Sequence, residues 1–378
     1  MLATILFSCL ALQQDTVKHP QVLWHVAGAR GLPAVHEDTI YTGGNALLRV
    51  DRETGHVLSA ARPTADENGE PRTFIGGPVV HEDRLLARYT DGDVIAYDLP
   101  LNHELWTWSA PSSAGLVYPG VLAGDTYLLG AGSDLVALHA ADGALLWRQT
   151  LPGKILMTPA VDDERVYVGT LAGSFHALNL HDGQVLWTHE SPSSFQISSP
   201  AVSRGVVYVG DRGVGESSRS EDFNASCDDV EGDRAGALHA FDAVTGTHLW
   251  GRIFGVTGLS RPSPTEEYVL AGFGRSVARF DLATGEIDVP KIIRTGTNPF
   301  GSPTLIGDRI YFGNLDGSLY VHRLKSGNLL WAFQVPGGQV HDFIHTGDAV
   351  YVSSSKGLFA LGPGRKAGGG RVVVWEGG

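Results

Sequence analysis

Cysteine is nearly absent: Cys9 and Cys227 are the only two in 378 residues. That count excludes a disulfide framework and a thiolate metal centre. Basic residues are also scarce, with 28 Lys and Arg against 41 Asp and Glu and a net charge of −13. A nucleic-acid surface or a polybasic membrane patch needs the opposite sign. Charged residues make up only 18% and hydrophobic ones 43%, which excludes a solvated, disordered chain. The N-terminal apolar run, 1–14 (MLATILFSCLALQQ), is too short for the roughly 20 residues of a membrane-spanning helix.

That run has the length of a signal-peptide core, with Ala11 as a small residue near its end, although no Lys or Arg precedes it. Segment 1–20 is therefore read as an export signal, placing the protein in the periplasm or cell envelope. Residues 6–9 (LFSC) offer a second reading, a lipid anchor at Cys9, with Phe7 in place of the usual small residue. An uncleaved apolar terminus is the third, and the cytoplasm stays open as a location.

Glycine is abundant: 49 residues without a collagen period. With plentiful Val, Leu and Tyr, this favours many tight turns between strands. The turns recur. ALHAADGALLW (137–147) returns as ALNLHDGQVLW (177–187), AFDAVTGTHLW (240–250) and VHRLKSGNLLW (321–331), with weaker copies around Gly55, Asn102 and Gly285. Most steps are 39 to 47 residues. A Pro precedes each copy, at Pro33, Pro78, Pro119, Pro159, Pro200, Pro262 and Pro303, and an eighth copy begins near Val340 without one. Eight copies at about 41 residues match the four-stranded propeller blade.

Each copy divides into four short strands, A to D, taken here from the fourth: 159–161, 165–169, 174–178 and 184–187. Gly183 marks the C–D turn, where a positive φ costs least, and Asn102 is read as taking that conformation in the second copy. The recurring Trp106, Trp147, Trp187, Trp250 and Trp331 are read as docking each blade on its neighbour. A stacked planar ligand would not need the residue in every blade. Asp51, Asp98, Asp242 and Asp281 share a register before the turn and are read as turn-stabilising side chains. The expected fold is all-β, an eight-bladed β-propeller of four-stranded antiparallel blades in one domain, 21–378. Two terminal segments, 21–26 and 371–375, compete for the last D strand. The N-terminal one is expected to close the ring on the eighth blade, removing an exposed edge.

The pattern Ala-x-Asp-x-x-Thr-Gly-x-x-x-Trp, complete at 240–250, resembles the repeat of the pyrroloquinoline-quinone (PQQ) β-propeller family. The resemblance implies the fold but not the activity. The family holds quinoprotein dehydrogenases as well as non-catalytic members of the BamB type, the outer-membrane assembly lipoprotein. What the resemblance implies for an enzyme is a vicinal Cys pair, a Ca²⁺ site, an Asp base and long loops over the pocket. Cys9 and Cys227 are far apart, and most loops are short. The expectation is a monomeric, non-catalytic scaffold for protein partners of the envelope or its outer-membrane assembly machinery, without PQQ or calcium. A PQQ- or metal-dependent enzyme with a reduced pocket, or a small-ligand sensor, is the alternative.

Two places depart from the minimal blade. Thirty positions separate Gly210 from Ala240 where 8 separate Gly169 from Ala177, an excess of 22. This insert, 211–236, lies between strands B and C of the fifth copy. It carries Asp228, Asp229, Glu231 and Asp233, weak calcium candidates without the alternating spacing of a recognised loop. Residues 224–226 (NAS) form a glycosylation sequon. The second departure is the long D–A connection 63–77, on the same face. Arg72, Phe74 and Phe300 are the candidate partner contacts, since Arg and aromatics are enriched at interface cores. The 15 His are scattered, with His139, His176 and His239 in or beside strand C, and are read as satisfied residues rather than ligands.

Overall fold

Strands B and C of each repeat are apolar along almost their whole length because both faces are covered by neighbouring sheets. In blade 4, Arg165–Gly169 and Ser174–Asn179 are buried at nearly every position, while the outer strand Val185–Glu190 alternates with solvent. The structure is a computed structural model. It describes residues 20–373 except 45, 66–68, 70–71, 75, 112–117, 196–197, 215–233, 254–259, 289–291, 348 and 364–370. Seven antiparallel sheets have the order A-B-C-D, and an eighth has one strand more. Together they form an eight-bladed propeller with the A strands around a central channel.

The seams between blades repeat one device. The small residue of strand C pairs with the Trp of strand D, as in Ala137↔Trp147, Ala177↔Trp187 and Ala240↔Trp250, and the register slips just beside each pair. Such a bulge re-aims a side chain, and here the indole lies across the C–D turn of the next blade. Trp147 donates Nε1–H to the Leu180 carbonyl at 2.9 Å, and Trp106, Trp187 and Trp250 donate to Ala140, Ala243 and Leu282. Every acceptor stands three residues before a turn glycine. Those glycines, Gly143, Gly183, Gly246 and Gly285, have φ of 68 to 72°. A Cβ on any of them would lie 2.4–2.6 Å from indole carbons. The turn glycine thus serves backbone conformation and indole packing at once.

The exceptions follow the same logic. Blade 6 has no Trp; a Cβ added at Gly327 would lie 3.9 Å from Ile293 Cγ1, and Arg279 Nη1 takes the indole's place on the Leu324 carbonyl. Blade 1 has Ser59 in the Trp register, and its hydroxyl donates to the Pro100 carbonyl. In the turn it faces, the positive φ falls on Leu101 (63°) and not on Asn102. That corrects the expectation for Asn102: with no indole over the turn, a residue carrying Cβ is accommodated. Trp331 packs into a cluster shared with Val350, Val352 and Phe359 of blade 8.

The N-terminal strand Pro20–Ala27 pairs antiparallel with Gly357–Pro363 and supplies strand D of blade 8. Arg371–Val373 runs parallel beside it as the fifth strand. Trp24 then repeats the seam, donating to the Arg52 carbonyl at 3.1 Å and covering Gly55. The chain's two ends are joined by the same contact that joins its neighbours.

The turn carboxylates accept local amides: Asp242 Oδ1 from Val244, Thr245 and the Thr245 hydroxyl, and Asp281 Oδ1 likewise from Ala283 and Thr284. The Thr245 and Thr284 amides hold these carboxyls below the usual range, and the Thr54 hydroxyl does so for Asp51. A depressed folded value stabilises the protein above the unfolded pKa of about 3.9, and that contribution disappears as pH falls through the folded value. His176 acts at higher pH. Burial pushes its imidazole down to about 4, so the unfolded chain takes up a proton first and stability falls as pH drops from about 6.5 to 4. The urea midpoint of the parent should fall relative to that of His176→Gln across this window. A gap between the two proteins that does not change with pH would contradict the buried neutral ring.

Candidate functional site

B–C turns and D–A crossovers share one face of the ring, and both departures from the minimal blade lie there. The insert begins as a short hairpin, Gly213–Val214 against Arg234–Ala235. Its root is tied to the preceding crossover: the Gly213 amide donates to Ser193 Oγ at 2.7 Å, and the Arg212 amide to the Ser194 carbonyl at 3.0 Å. Asp228, Asp229, Glu231 and Asp233 lie outside the described residues, as do Cys9 and Cys227.

The three expected contact residues part company. Phe74 is 7% exposed, bridges to Tyr89 and lies so close to Gly43 that a Cβ there would fall within its ring. Arg72 donates Nε to Asp91 Oδ2 and Nη2 to Asp93 Oδ2, both at 2.6 Å. These two residues pin the long crossover onto the B–C turn of blade 2, so their reading as partner contacts is corrected. The crossover is long enough to fold back and bury its own aromatic. Phe300 is 47% exposed, near the His341 ring. Leu315, in the B–C turn of the same blade, and Tyr118, on the crossover into blade 3, are also exposed.

Arg72→Ala should destabilise the protein by about 2 kcal/mol, the scale of hydrogen bonds to charged groups. The Ser109 hydroxyl and the Ala110 amide still satisfy Asp93 in that variant. Arg72→Lys should recover little, since one ammonium cannot span two carboxylates as the guanidinium fork does. Chemical denaturation of the two variants measures both effects; full rescue by Lys would argue against the fork.

A cavity of about 810 Å³ opens along the central channel, walled by A-strand residues such as Val161, Val202 and Thr304, with Arg261, Glu266 and Glu267 among its polar groups. Behind Gly301 lies Asp342, whose carboxyl burial pushes up to about 6 against the pull of Arg261. Burial likewise lowers the Arg261 guanidinium, with Asp342 acting in the other direction. Arg261 is open to solvent yet surrounded by channel wall, so its charge is only partly hydrated.

One cluster was not legible in the sequence. His189, on strand D of blade 4, and His239 and His248, on strands C and D of blade 5, meet at a seam beside Asp211. His189 stands 50 residues from His239 and belongs to another repeat, so no spacing signal joins it to the other two. Among the described residues, no group of three His, Cys, Asp or Glu side chains could hold a metal ion.

The family model of the outer membrane protein assembly factor BamB matches residues 90–220 and 229–367. BamB of Yersinia pestis is 26% identical over 305 residues, covering 77% of this chain and 63% of that protein. The tetrathionate hydrolase of Acidithiobacillus ferrooxidans is 23% identical over 339 residues, covering 76% of this chain and 64% of that protein. The chain thus spans just under two thirds of these relatives. The solved structure of BamB from Moraxella catarrhalis matches 91% of this chain and 99% of its own, with a TM-score of 0.68 at 16% identity. That is a likeness of fold. The family model covers well over half of the sequence, on a ring of repeats whose seams are described above: the chain belongs to the BamB family of PQQ-like repeat propellers.

Proposed function

We propose that the protein is a non-catalytic scaffold, exported to the cell envelope, that binds protein partners in outer-membrane assembly. The observation that carries this reading is the crossover face. Tyr118 on the crossover into blade 3, and Phe300 and Leu315 of blade 7, stand exposed on this face, from which the blade 5 insert also arises. Exposed aromatics on a rigid frame bind with little ordering cost. Export rests on segment 1–14, either as a signal or as a lipid anchor at Cys9.

The charge of the channel supports a scaffold without quinone. Among its described lining residues and their near neighbours, Arg261 stands against Glu266, Glu267 and Asp342, a poor balance for a tri-anionic cofactor. The likeness to a tetrathionate hydrolase favours the alternative, an enzyme. Capture from an envelope fraction should recover an outer-membrane assembly protein. Phe300→Asp should reduce that capture by about tenfold or more, and deletion of 212–234 should reduce it too. Partners unchanged by both alterations would remove this face from the proposal. A stoichiometric quinone in the purified protein, or turnover of tetrathionate, would overturn the scaffold itself.

A further inference from the structure

We propose that the central channel is a binding site for a small monocarboxylate with an apolar body, its carboxylate held by Arg261. Pairing of strand A with strand B sets the level: Ala160↔Tyr167, Ala201↔Tyr208, Ser263↔Leu270, Thr304↔Tyr311 and Ile344↔Tyr351 are equivalent pairs in blades 4 to 8. Two positions before each of these A-strand residues stand Thr158, Ser199, Arg261, Ser302 and Asp342, where the chain comes in from the crossover face. Blades 1 to 3 have Leu32, Gly77 and Pro119 in the same place. Polar residues thus occupy five consecutive blades at one level and none of the other three. Blade docking calls for the same residue around the whole ring, so a polar arc on one side of the channel answers to something inside it.

Arg261 stands in the middle of this arc and is the one cation among the described residues that line the cavity. Other enclosed arginines are taken up by the protein: Arg88 donates to the Tyr118 and Gly130 carbonyls, and Arg279 to Asp288. Among the described residues Arg261 has no hydrogen-bond or ion-pair partner, and Asp342 acts on it only from a distance. The surrounding wall removes part of its hydration. A partly desolvated guanidinium with a free fork of donors matches the two oxygens of a carboxylate. Of the neighbouring hydroxyls, Thr158 already donates to the Pro119 carbonyl at 2.8 Å, whereas Ser302 lines the same cavity and adds a donor there.

The rest of the cavity selects what the carboxylate is attached to. Along the A strands it is walled by Val161, Val202 and Leu305, which suit an apolar body. Glu266 and Glu267, in the A–B turn of blade 6 at the other end, repel a second anionic group, and Asp342 adds to that field near the mouth. One guanidinium therefore balances one carboxylate, and a dicarboxylate is rejected. The site lies within the channel and does not depend on protein partners binding the face above it.

The test titrates the full chain calorimetrically with sodium hexanoate at neutral pH, with 1-hexanol and adipate as comparison probes. One hexanoate per chain is expected, with hexanol and adipate each bound about tenfold more weakly or worse. Arg261→Gln should weaken hexanoate binding by about tenfold or more, the scale of hydrogen bonds to a charged group, without lowering the urea midpoint. Asp342→Asn should tighten binding, because it removes the carboxylate whose field opposes the ligand. If Arg261→Gln fails to fold by circular dichroism, Ser302→Ala should still weaken binding while Asp342→Asn tightens it. No saturable binding, hexanol bound as tightly as hexanoate, or binding untouched by Arg261→Gln would overturn the site.

Discussion

Trp24→Ala should lower the stability of the protein by about 3–5 kcal/mol, the cost of removing a buried Trp from a core it fills. Trp24 is 1% exposed and packs in a cluster with Val50 of blade 1 and Tyr351 and Leu358 of blade 8. Its indole covers Gly55, donates to the Arg52 carbonyl and lies 5.7 Å from the Tyr351 ring. Arg52 reaches back across the seam, donating to the Tyr351 hydroxyl at 3.1 Å and to Thr346 Oγ1 at 2.9 Å. The substitution removes the indole from both partners at once. The seam it weakens is where the N-terminal strand closes the ring, so strand Pro20–Ala27 is held afterwards by its ladder, the buried Val26 and the stacking of His25 on Phe359. A strand at a terminus opens at lower free energy than one inside the chain. Hydrogen exchange should therefore show the 22–26 amides losing protection before those of blade 4. A urea-melt difference below about 1 kcal/mol would mean that the ring does not depend on this closure.

What was legible in the sequence is what the ring repeats. The Trp stands in register at six of the eight seams, most of the facing turns carry glycine, and a Pro opens seven of the eight copies, so these residues recur at readable intervals. The closing role of 21–26 was legible for the same reason, because Trp24 stands in a D-type strand without a blade of its own. Single departures were harder to place. Asn102 suits a left-handed turn, yet Leu101 takes it, because the seam facing that turn carries Ser59 where others carry an indole. Arg72 and Phe74 look like surface contacts in a long connection. Only the folded positions of Arg72 and Phe74 reveal the two carboxylates that hold the one and the glycines that pack on the other. The histidines at the blade 4–5 seam come from different repeats, and no local pattern joins His189 to His239 and His248.

Gly183→Ala and Gly327→Ala separate the two duties of the turn glycine. Both residues sit at the same C–D position with nearly the same φ, 72° and 69°. At Gly327 the nearest atom to an added Cβ is Ile293 Cγ1 at 3.9 Å, which is ordinary contact. Alanine there should cost about 1–2 kcal/mol, the price of a left-handed conformation for a residue with Cβ. At Gly183 the added Cβ would come within 2.5 Å of Trp147 Cε3. The indole must move, and its hydrogen bond to the Leu180 carbonyl lengthens with it. Overpacking of this kind adds about 1–3 kcal/mol, so Gly183→Ala should be the more damaging of the pair by that amount. Trp147→Ala tests the source of the difference: in its background Gly183→Ala should cost no more than Gly327→Ala does in the parent. Equal losses for the two glycine variants in the parent would assign the whole requirement to backbone conformation and leave the indole without a part in selecting the residue. A larger loss at Gly183 that persists without Trp147 would instead place the strain in blade 4 itself.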